Sequence, residues 1–153
     1  MGKKQHGDLK TLAKLSDPGH TWGVAQAELD AGPLMVRYNE SARSWVGHPQ
    51  LPIKLGFAVP LNSPEEGGLP NADENEQLNA IEDILIAKVE SATPAIQALV
   101  LTTGLMREFI FYVPRDVDIG AIHLSAQKAV DTHEIQCMAT NEPTWDSFTE
   151  FTP

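Results

Sequence analysis

The clearest hydrophobic pattern in the chain is a strict alternation over residues 53–59. Ile53, Leu55, Phe57 and Val59 fall on one face of an extended segment, because successive side chains of a strand point to opposite faces. The pattern predicts a strand with one buried face. Two further pairs of β-prone segments flank short glycine-containing connections, which is typical of β-hairpins. These hairpins are predicted over residues 21–29 and 33–39, joined by Asp30-Ala31-Gly32, and over residues 96–103 and 107–113, joined by Gly104-Leu105-Met106.

Helical periodicity follows the third strand. Leu78, Ile81, Leu85 and Val89 recur at three- and four-residue steps, which predicts an amphipathic helix. Its start carries the spacing of a capping box, formed by Asn71 with Glu74 or by Asp73 with Glu76. The Thr93-Pro94 dipeptide is predicted to end the helix, because proline cannot continue the helical hydrogen bonds.

The last third of the chain adds a second helix, a sixth strand and a helical turn. Asp116 or Asp118 can cap the second helix. Its predicted inward-facing residues are Ile119, Ile122, Ala126 and Val130. Residues 133–139 are predicted to form the sixth strand. Trp145, Phe148 and Phe151 then recur at three-residue intervals in a helical turn, where we expect them to cover the core; an exposed part would be an interaction surface.

The order of these elements predicts the fold class. From the third strand onward it is β-α-β-β-α-β, which is typical of an α+β, ferredoxin-like fold with two helices on one face of an antiparallel sheet. The N-terminal hairpin is predicted to extend that sheet. We expect a single α+β domain over residues 20–153, preceded by a mobile N-terminal extension over residues 1–19.

Charge narrows the range of partners. The net charge is −10, and four of the eleven Lys and Arg residues lie in the first fourteen positions, so the remainder is more acidic still. Such a chain repels a phosphate backbone, and we expect no direct binding of nucleic acid but a protein partner with a basic surface. The single Cys137 and the lack of a long apolar segment predict a cytoplasmic protein with no membrane association.

The sequence lacks the patterns that mark common catalytic sites. None of the five histidines forms the i, i+4 pair that places two imidazoles on one metal, and no Gly-x-Ser-x-Gly segment is present. The glycine-rich segment over residues 64–70 lacks the Lys-Ser or Lys-Thr ending of a phosphate-binding loop and contains two carboxylates. We therefore expect no catalytic residue, no metal site and no cofactor.

Two arginines are the best candidates for ligand binding. Arg37 and Asn39 share one face of the second strand, and Arg107 begins the fifth. Two converging guanidinium groups would bind an anion or a carboxylate through their paired N–H donors. The alternative is that both arginines pair with nearby acids such as Glu74 or Glu108 and organise the edge of the sheet.

Seven segments, in their order along the chain, resemble those of a known family. They are TWGVAQAE, PLMVRYN, the His48-Pro49 dipeptide, GFAVPLN, GLPNADENEQLNAIED, TTGLMREFIFY and NEPTWDSF. Over about residues 21–151 the chain resembles the bacterial family known as domain of unknown function 695. The resemblance implies a fold similar to that of the bacterial ribonuclease E inhibitors, small acidic cytoplasmic proteins with a ferredoxin-like core that bind the enzyme's regulatory region. It supplies no established catalytic residue. The candidate binding residues inside its recurrent segments are Arg37, Asn39, Glu74, Asn75, Arg107, Glu108 and Trp145.

These observations favour a non-enzymatic binding or regulatory module. One alternative is a small-molecule anion binder, or an enzyme, that uses Arg37 and Arg107, with Glu74 or Glu108 as an acid or base. Another is an inhibitor of a nucleic-acid-processing enzyme such as a ribonuclease, which the acidity and the implied fold favour. An unpaired sheet edge would also allow a homodimer.

Overall fold

Strands and helices follow one another along the chain in the predicted order. A computed structural model describes Leu12 and residues 20–153. The elements are β1 (Trp22–Leu29), β2 (Gly32–Asn39), a 3-10 helix (Glu40–Trp45), β3 (Ile53–Pro60), α1 (Ala72–Ala92), β4 (Ile96–Thr102), β5 (Met106–Val113), α2 (Ile119–Ala129), β6 (Gln136–Asn141) and α3 (Asp146–Phe151). Apart from Leu12, the predicted extension over residues 1–19 lies outside the described residues. None of the described helices combines the length and apolar character needed to cross a bilayer.

All six strands form one antiparallel sheet in the order β1-β2-β4-β5-β3-β6. β2 pairs with β1 along its whole length and with β4 from Met35 to Tyr38. The N-terminal hairpin therefore extends the sheet, as predicted, and the α+β class is confirmed. The six-strand order differs from the four-strand order of a ferredoxin-like sheet, because β2 and β1 continue the sheet beyond β4.

One face of the sheet packs against α1 and α2. The alternation predicted for β3 is confirmed, since Leu55, Phe57 and Val59 are fully buried on this face. They pack against a stripe of helical residues, namely Leu78, Ile81, Leu85 and Val89 of α1 and Ile122 and Ala126 of α2. Helical spacing places each set on one side of its helix, so burial of the stripe fixes both helices on the sheet.

The opposite face of the sheet carries a second core. Trp45, Leu51, Trp145 and Phe148 come from the 3-10 helix, the segment after it and α3, and all four are buried there. The ring of Trp145 stacks on that of Tyr112 in β5, with 3.9 Å between centroids and 5° between planes. The prediction that the C-terminal aromatic row covers the core is confirmed for its first two members.

The start of each long helix follows the predicted capping signal. The side chain of Asn71 accepts a hydrogen bond from the backbone N–H of Glu74 at 2.8 Å, and Asp118 accepts one from a backbone N–H three residues on, at 3.1 Å. The capping box is half formed, because the carboxylate of Glu74 does not return to Asn71 but bonds elsewhere. α1 ends immediately before Thr93-Pro94, as predicted.

β6 begins at Gln136, so the prediction that it starts at residue 133 is wrong. Gln127 of α2 explains the difference. Its side chain donates to the carbonyl of His133 at 3.0 Å and accepts from the backbone N–H of Ile135 at 2.7 Å. Because these backbone groups already bond to a helix side chain, the segment before Gln136 runs as a loop against α2 and joins β3 only later.

Candidate functional site

A cleft of about 430 Å³ opens on the helix-facing side of the sheet, beside the N-terminal half of α1. Its wall is mixed in character. Apolar side chains come from three strands and from the loop before α1, while polar side chains come from β2, β4, β5 and α1. The cleft is lined by Val24, Met35, Leu69, Pro70 and Val100 on the apolar side and by Arg37, Asn75, Asn79, Thr102 and Arg107 on the polar side. We call this the Arg107 cleft.

The loop between β3 and α1, residues 61–71, forms one rim of the Arg107 cleft. Its Glu65 backbone N–H donates to the carbonyl of Gly104 at 2.8 Å. A Cβ on Gly104 would lie 2.0 Å from the carbonyl oxygen of Glu65, and a Cβ on Gly32 would lie 2.8 Å from the Cα of Gly67. The turns of both hairpins therefore need glycine for the loop to approach them, and that approach brings Leu69 to the cleft.

Arg107 is a buried cation in this cleft, with only 7% of its surface exposed. Its Nε donates to Thr102 Oγ1 at 2.8 Å, its Nη1 to Asn79 Oδ1 at 3.1 Å and its Nη2 to Asn75 Oδ1 at 2.6 Å. Thr102 lies opposite Arg107 in the β4–β5 register. Asn75 and Asn79 are one turn apart on α1 and so present their amides side by side. Three elements together hold the guanidinium in place.

The acceptors of Arg107 are all neutral. Among the ion pairs of residues 20–153, none includes Arg107. Burial lowers the pKa of Arg107, nearby Glu82 raises it and nearby Arg37 lowers it further. Arginine nonetheless stays protonated in proteins, so the cleft keeps a positive charge to which no carboxylate is bonded. Two of the five N–H groups of Arg107 also have no acceptor within the described residues.

Arg37 lines the same cleft, but its charge is neutralised. Its Nη1 and Nη2 donate to the two carboxylate oxygens of Glu82 at 3.1 and 2.7 Å, a bidentate pair. Its guanidinium also lies over the ring of Trp22, 5.0 Å from the centroid, and Gln97 donates to Glu82 at 2.8 Å. The structure thus brings both predicted arginines to one cleft and, among residues 20–153, gives an acidic partner to Arg37 but not to Arg107.

The predicted acid partners of the arginines, Glu74 and Glu108, are wrong. The acid that pairs with Arg37 is Glu82, which the sequence reasoning missed. The signal was present, because Glu82 lies one turn after Leu78 inside the apolar stripe of α1. A carboxylate at a core-facing helix position needs a partner when it is buried, and that need points to a cation on the sheet.

Asn39 shares the helix-facing side of β2 with Arg37 but does not line the cleft. It is fully buried at the end of the strand. Its Oδ1 accepts from the backbone N–H of Ser41 at 3.0 Å, and its Nδ2 donates to the carbonyl of Gln97 at 2.9 Å and contacts His20 Nδ1 at 3.0 Å. Asn39 therefore caps the 3-10 helix and ties β2 to β4.

Glu74 lies against His133, away from the cleft. Its Oε2 is hydrogen-bonded to His133 Nε2, and its two oxygens accept from the backbone N–H groups of Asn62 and Ser63, both at 2.8 Å. Although burial raises the pKa of Glu74, the bonds from His133 and from the two amides lower it below the ordinary value. In the part of the chain that the structure describes, no three His, Cys, Asp or Glu residues are arranged to hold a metal ion.

Glu108 and Trp145 lie on the opposite face of the sheet from the cleft. Glu108 is half-buried, and burial raises the pKa of its carboxyl, an effect that nearby Lys54 reduces. Trp145 is completely buried, with its Nε1 donating to the carbonyl of Leu51 at 2.9 Å. Of the candidate binding residues, Arg37, Asn75 and Arg107 therefore meet at the cleft, whereas the other four lie elsewhere.

Around Glu142 lies a second polar cluster, on the face that carries Trp145, and it was not found from the sequence. Glu142 accepts from the hydroxyl of Tyr112 and, at 2.8 Å, from the hydroxyl of Ser147; Lys54 Nζ lies 3.7 Å from its carboxylate and donates to Ser147 at 3.0 Å. Burial raises the pKa of Tyr112, and the bond to Glu142 raises it further. We call these four residues the Glu142 cluster, which ties β3, β5 and α3 together.

Comparisons with known proteins give one match. Neither the curated proteins nor the solved structures contain a match to this chain, so no neighbour supports the expected fold similarity to the ribonuclease E inhibitors. A family model, described as a family of unknown function (DUF695), matches residues 20–152. That range covers nearly the whole chain and agrees with the resemblance carried by the seven segments. The chain therefore belongs to the DUF695 family of unknown function.

Proposed function

We propose that this protein is a non-enzymatic binding module whose Arg107 cleft holds the anionic group of a small molecule. The proposal rests on the burial of Arg107 and on the neutral character of its hydrogen-bond acceptors. Arg107 is 93% buried, as its 7% exposure implies, and its three hydrogen-bond acceptors are neutral. The nearby carboxylate of Glu82 is paired with Arg37, so these three groups together carry a net positive charge. A buried net charge is unfavourable, and a bound anion would remove that penalty.

The shape of the donor set supports the same conclusion. Nε, Nη1 and Nη2 of Arg107 each use one hydrogen on a protein acceptor, which leaves one N–H on Nη1 and one on Nη2. Guanidinium N–H groups are suitable donors to the oxygens of a carboxylate or a phosphate, so each remaining N–H group is available to an anion. Asn75, Asn79 and Thr102 fix the guanidinium before any ligand arrives, so little side-chain entropy is lost on binding.

Binding is favoured over catalysis by the positions of the two carboxylates that were the candidate acid or base. Within the described residues, neither Glu74 nor Glu108 lines the cleft. Glu74 is bonded to His133 and to backbone amides, and Glu108 faces the other side of the sheet. General acid–base chemistry needs such a group within hydrogen-bond reach of the substrate.

The test is a thermal-shift screen of the full chain against small carboxylates, phosphate and sulfate, followed by calorimetry of each hit. We expect at least one anion to stabilise the wild type and its affinity to fall by about tenfold or more in Arg107→Gln. Arg37→Gln should also weaken binding, because it releases the charge of Glu82 beside the cleft. Arg43→Gln is the matched control, since Arg43 pairs with Glu40 on the exposed 3-10 helix. Affinity that is unchanged in Arg107→Gln would contradict the proposal.

The arrangement of β3 to β6 supports a ferredoxin-like assignment, which we include in the proposal. β5 lies between β3 and β4, β6 lies outside β3, and α1 and α2 both pack on one face of these strands. In this interpretation β1 and β2 are an addition to a ferredoxin-like unit. An experimentally determined structure with a different order of these four strands would contradict it.

A second candidate function rests on an acidic stripe along α1. Glu76, Asp83 and Glu90 recur at seven-residue intervals and are exposed, so they lie along one side of the helix. This stripe suits a protein partner with a basic surface, including a nucleic-acid-processing enzyme such as a ribonuclease, in the cytoplasm. Its test is cross-linking in cells, compared between the wild type and a variant with Gln at all three positions. Equal recovery of the same partners from both would count against it.

A further inference from the structure

The charge balance of the Arg107 cleft restricts the kind of anion that it can hold. Two guanidinium groups line the cleft, but Glu82 forms a bidentate pair with Arg37. One positive charge, on Arg107, therefore remains for a ligand. Among the described residues that line the cleft, a second negative charge on the ligand would find no further cation without an acidic partner. It would lie near the carboxylate of Glu82, and like charges in a partly buried site repel strongly.

The apolar lining of the Arg107 cleft restricts the part of the ligand that lies beyond its anionic group. Val24 and Leu69 form an exposed apolar rim, with 64% and 37% of their surfaces accessible, and Val100 and Met35 continue the apolar lining inward. Apolar side chains this exposed at the edge of a cleft gain free energy when a ligand covers them. The cleft volume of about 430 Å³ lies within the usual range for sites that bind small molecules.

From these two observations we infer that the ligand of the Arg107 cleft is a monocarboxylate with an apolar body. This inference rests on the proposed function and specifies its ligand class. The carboxylate accepts from the remaining N–H groups of Arg107 that face the cleft, and the apolar body lies against Val24 and Leu69. Inorganic phosphate and dicarboxylates bind more weakly, because they bring a second charge or a polar group to the apolar rim.

The test is calorimetry of the full chain with acetate, butyrate, hexanoate and octanoate, with adipate as the dicarboxylate of the same length as hexanoate and with inorganic phosphate. We expect affinity to rise by about fourfold for each added methylene until the cleft is filled, which corresponds to about 0.8 kcal/mol per methylene. Adipate should bind at least about tenfold more weakly than hexanoate, since it places a charge against the apolar rim.

Two variants sharpen the test. The double variant Val24→Ser with Leu69→Ser changes only exposed rim residues and should reduce the gain in affinity per added methylene. Glu82→Gln keeps the shape of the side chain and frees the charge of Arg37, so the gap between hexanoate and adipate should narrow. A gap that does not change in Glu82→Gln would overturn the charge argument.

The outcomes separate this inference from the function on which it rests. Affinity that does not depend on chain length but is lost in Arg107→Gln would overturn the ligand class and leave the anion site standing. Adipate or phosphate binding as tightly as hexanoate would do the same. Binding that increases with chain length but survives Arg107→Gln, or no binding of any anion to the wild type, would overturn both.

Discussion

The Arg107 cleft and the Glu142 cluster lie on opposite faces of the same sheet, and β5 contributes a residue to each. Both contain a cation in contact with polar side chains. In the Glu142 cluster the cation, Lys54, lies beside the carboxylate of Glu142, and that carboxylate also accepts from Tyr112 and Ser147. In the Arg107 cleft the cation is held by a threonine and two asparagines.

The difference between the two regions lies in the balance of charge. In the Glu142 cluster the opposite charges of Lys54 and Glu142 are paired and mostly buried, and Trp145 stacks on Tyr112 beside them. We call such a paired and covered cluster closed, and we expect it to stabilise the fold. In the Arg107 cleft one charge is left over beside an open volume. A balanced and covered polar cluster is explained by folding, whereas an unbalanced one beside a cavity favours the proposed ligand site. The predictions below test this contrast through the stability of variants.

We expect the largest loss of stability for Trp145→Ala, which removes the side chain that stacks beside the Glu142 cluster. Trp145 is completely buried and stacks on Tyr112, and its indole N–H bonds to the carbonyl of Leu51. Loss of a buried tryptophan removes contact area and leaves a cavity, so we expect the free energy of unfolding to fall by about 3–5 kcal/mol in urea denaturation. The matched control is Phe151→Ala, whose side chain is only partly buried and should matter less. Similar losses for the two variants would contradict the assignment of Trp145 as the centre of this core.

A smaller loss is expected for Glu142→Ala. This change leaves the hydroxyls of Tyr112 and Ser147 without their acceptor and the ammonium of Lys54 without its ion-pair partner. Unpaired donors in a mostly buried site are costly, so we expect the free energy of unfolding to fall by about 2–4 kcal/mol. Glu150→Ala on α3 is the exposed control and should lie within about 0.5 kcal/mol of the wild type. If Glu142→Ala were as stable as this control, the cluster would not stabilise the fold.

Glu74→Gln tests the hydrogen-bonded pair of Glu74 and His133, on the helix-facing side of the sheet, through the pH dependence of the free energy of unfolding. The pKa of Glu74 is lower in the folded protein than its ordinary value of 4.5. Its ionised form therefore contributes stability that is fully present above pH 4.5 and is lost as the pH falls through the lowered, folded pKa. We expect the variant to lose about 1–2 kcal/mol at neutral pH and this gap to shrink below pH 4.5.

The control for Glu74→Gln is Glu76→Gln, an exposed carboxylate two positions along the same helix. The free energy of unfolding of Glu76→Gln should match that of the wild type at every pH. Urea denaturation from neutral pH down to the acid transition measures all three proteins under the same conditions. A gap between the wild type and Glu74→Gln that widens as the pH falls would contradict the lowered pKa.

Periodicity predicted most of the fold because it is a local property of the chain. The alternation of Ile53, Leu55 and Phe57 predicted β3, and the stripe from Leu78 to Val89 predicted α1. The start of β6 could not be predicted in this way, because it depends on bonds from Gln127 to the backbone of residues 133 and 135. The local sequence pattern does not show whether a backbone group will bond to a neighbouring strand or to the side chain of a helix residue.

The candidate site was predicted in part for a related reason. Arg37 and Arg107 are conspicuous as cations on strands, and the structure brings both to one cleft. The hydrogen bonds that distinguish the two arginines join residues far apart in sequence. Arg37 and Glu82 are separated by 45 positions, and Arg107 and Asn75 by 32. Only the packing of α1 on the sheet decides which arginine receives the carboxylate.

We expect Arg107→Met to change the free energy of unfolding least. This result would distinguish the Arg107 cleft most clearly from the Glu142 cluster. The substitution replaces a buried charge by an apolar side chain of similar length, which removes a desolvation cost. Asn75 and Asn79 lose their donor but are exposed, so their amides can bond water instead. We expect the free energy of unfolding to change by less than about 1 kcal/mol, in either direction, while anion binding is lost. Lys54→Met is the matched control in the closed cluster, where it leaves Glu142 without its cation and should lower stability by about 1–3 kcal/mol. If Arg107→Met were the more damaging of the two, Arg107 would be a structural residue, because its neutral partners alone would then account for its burial.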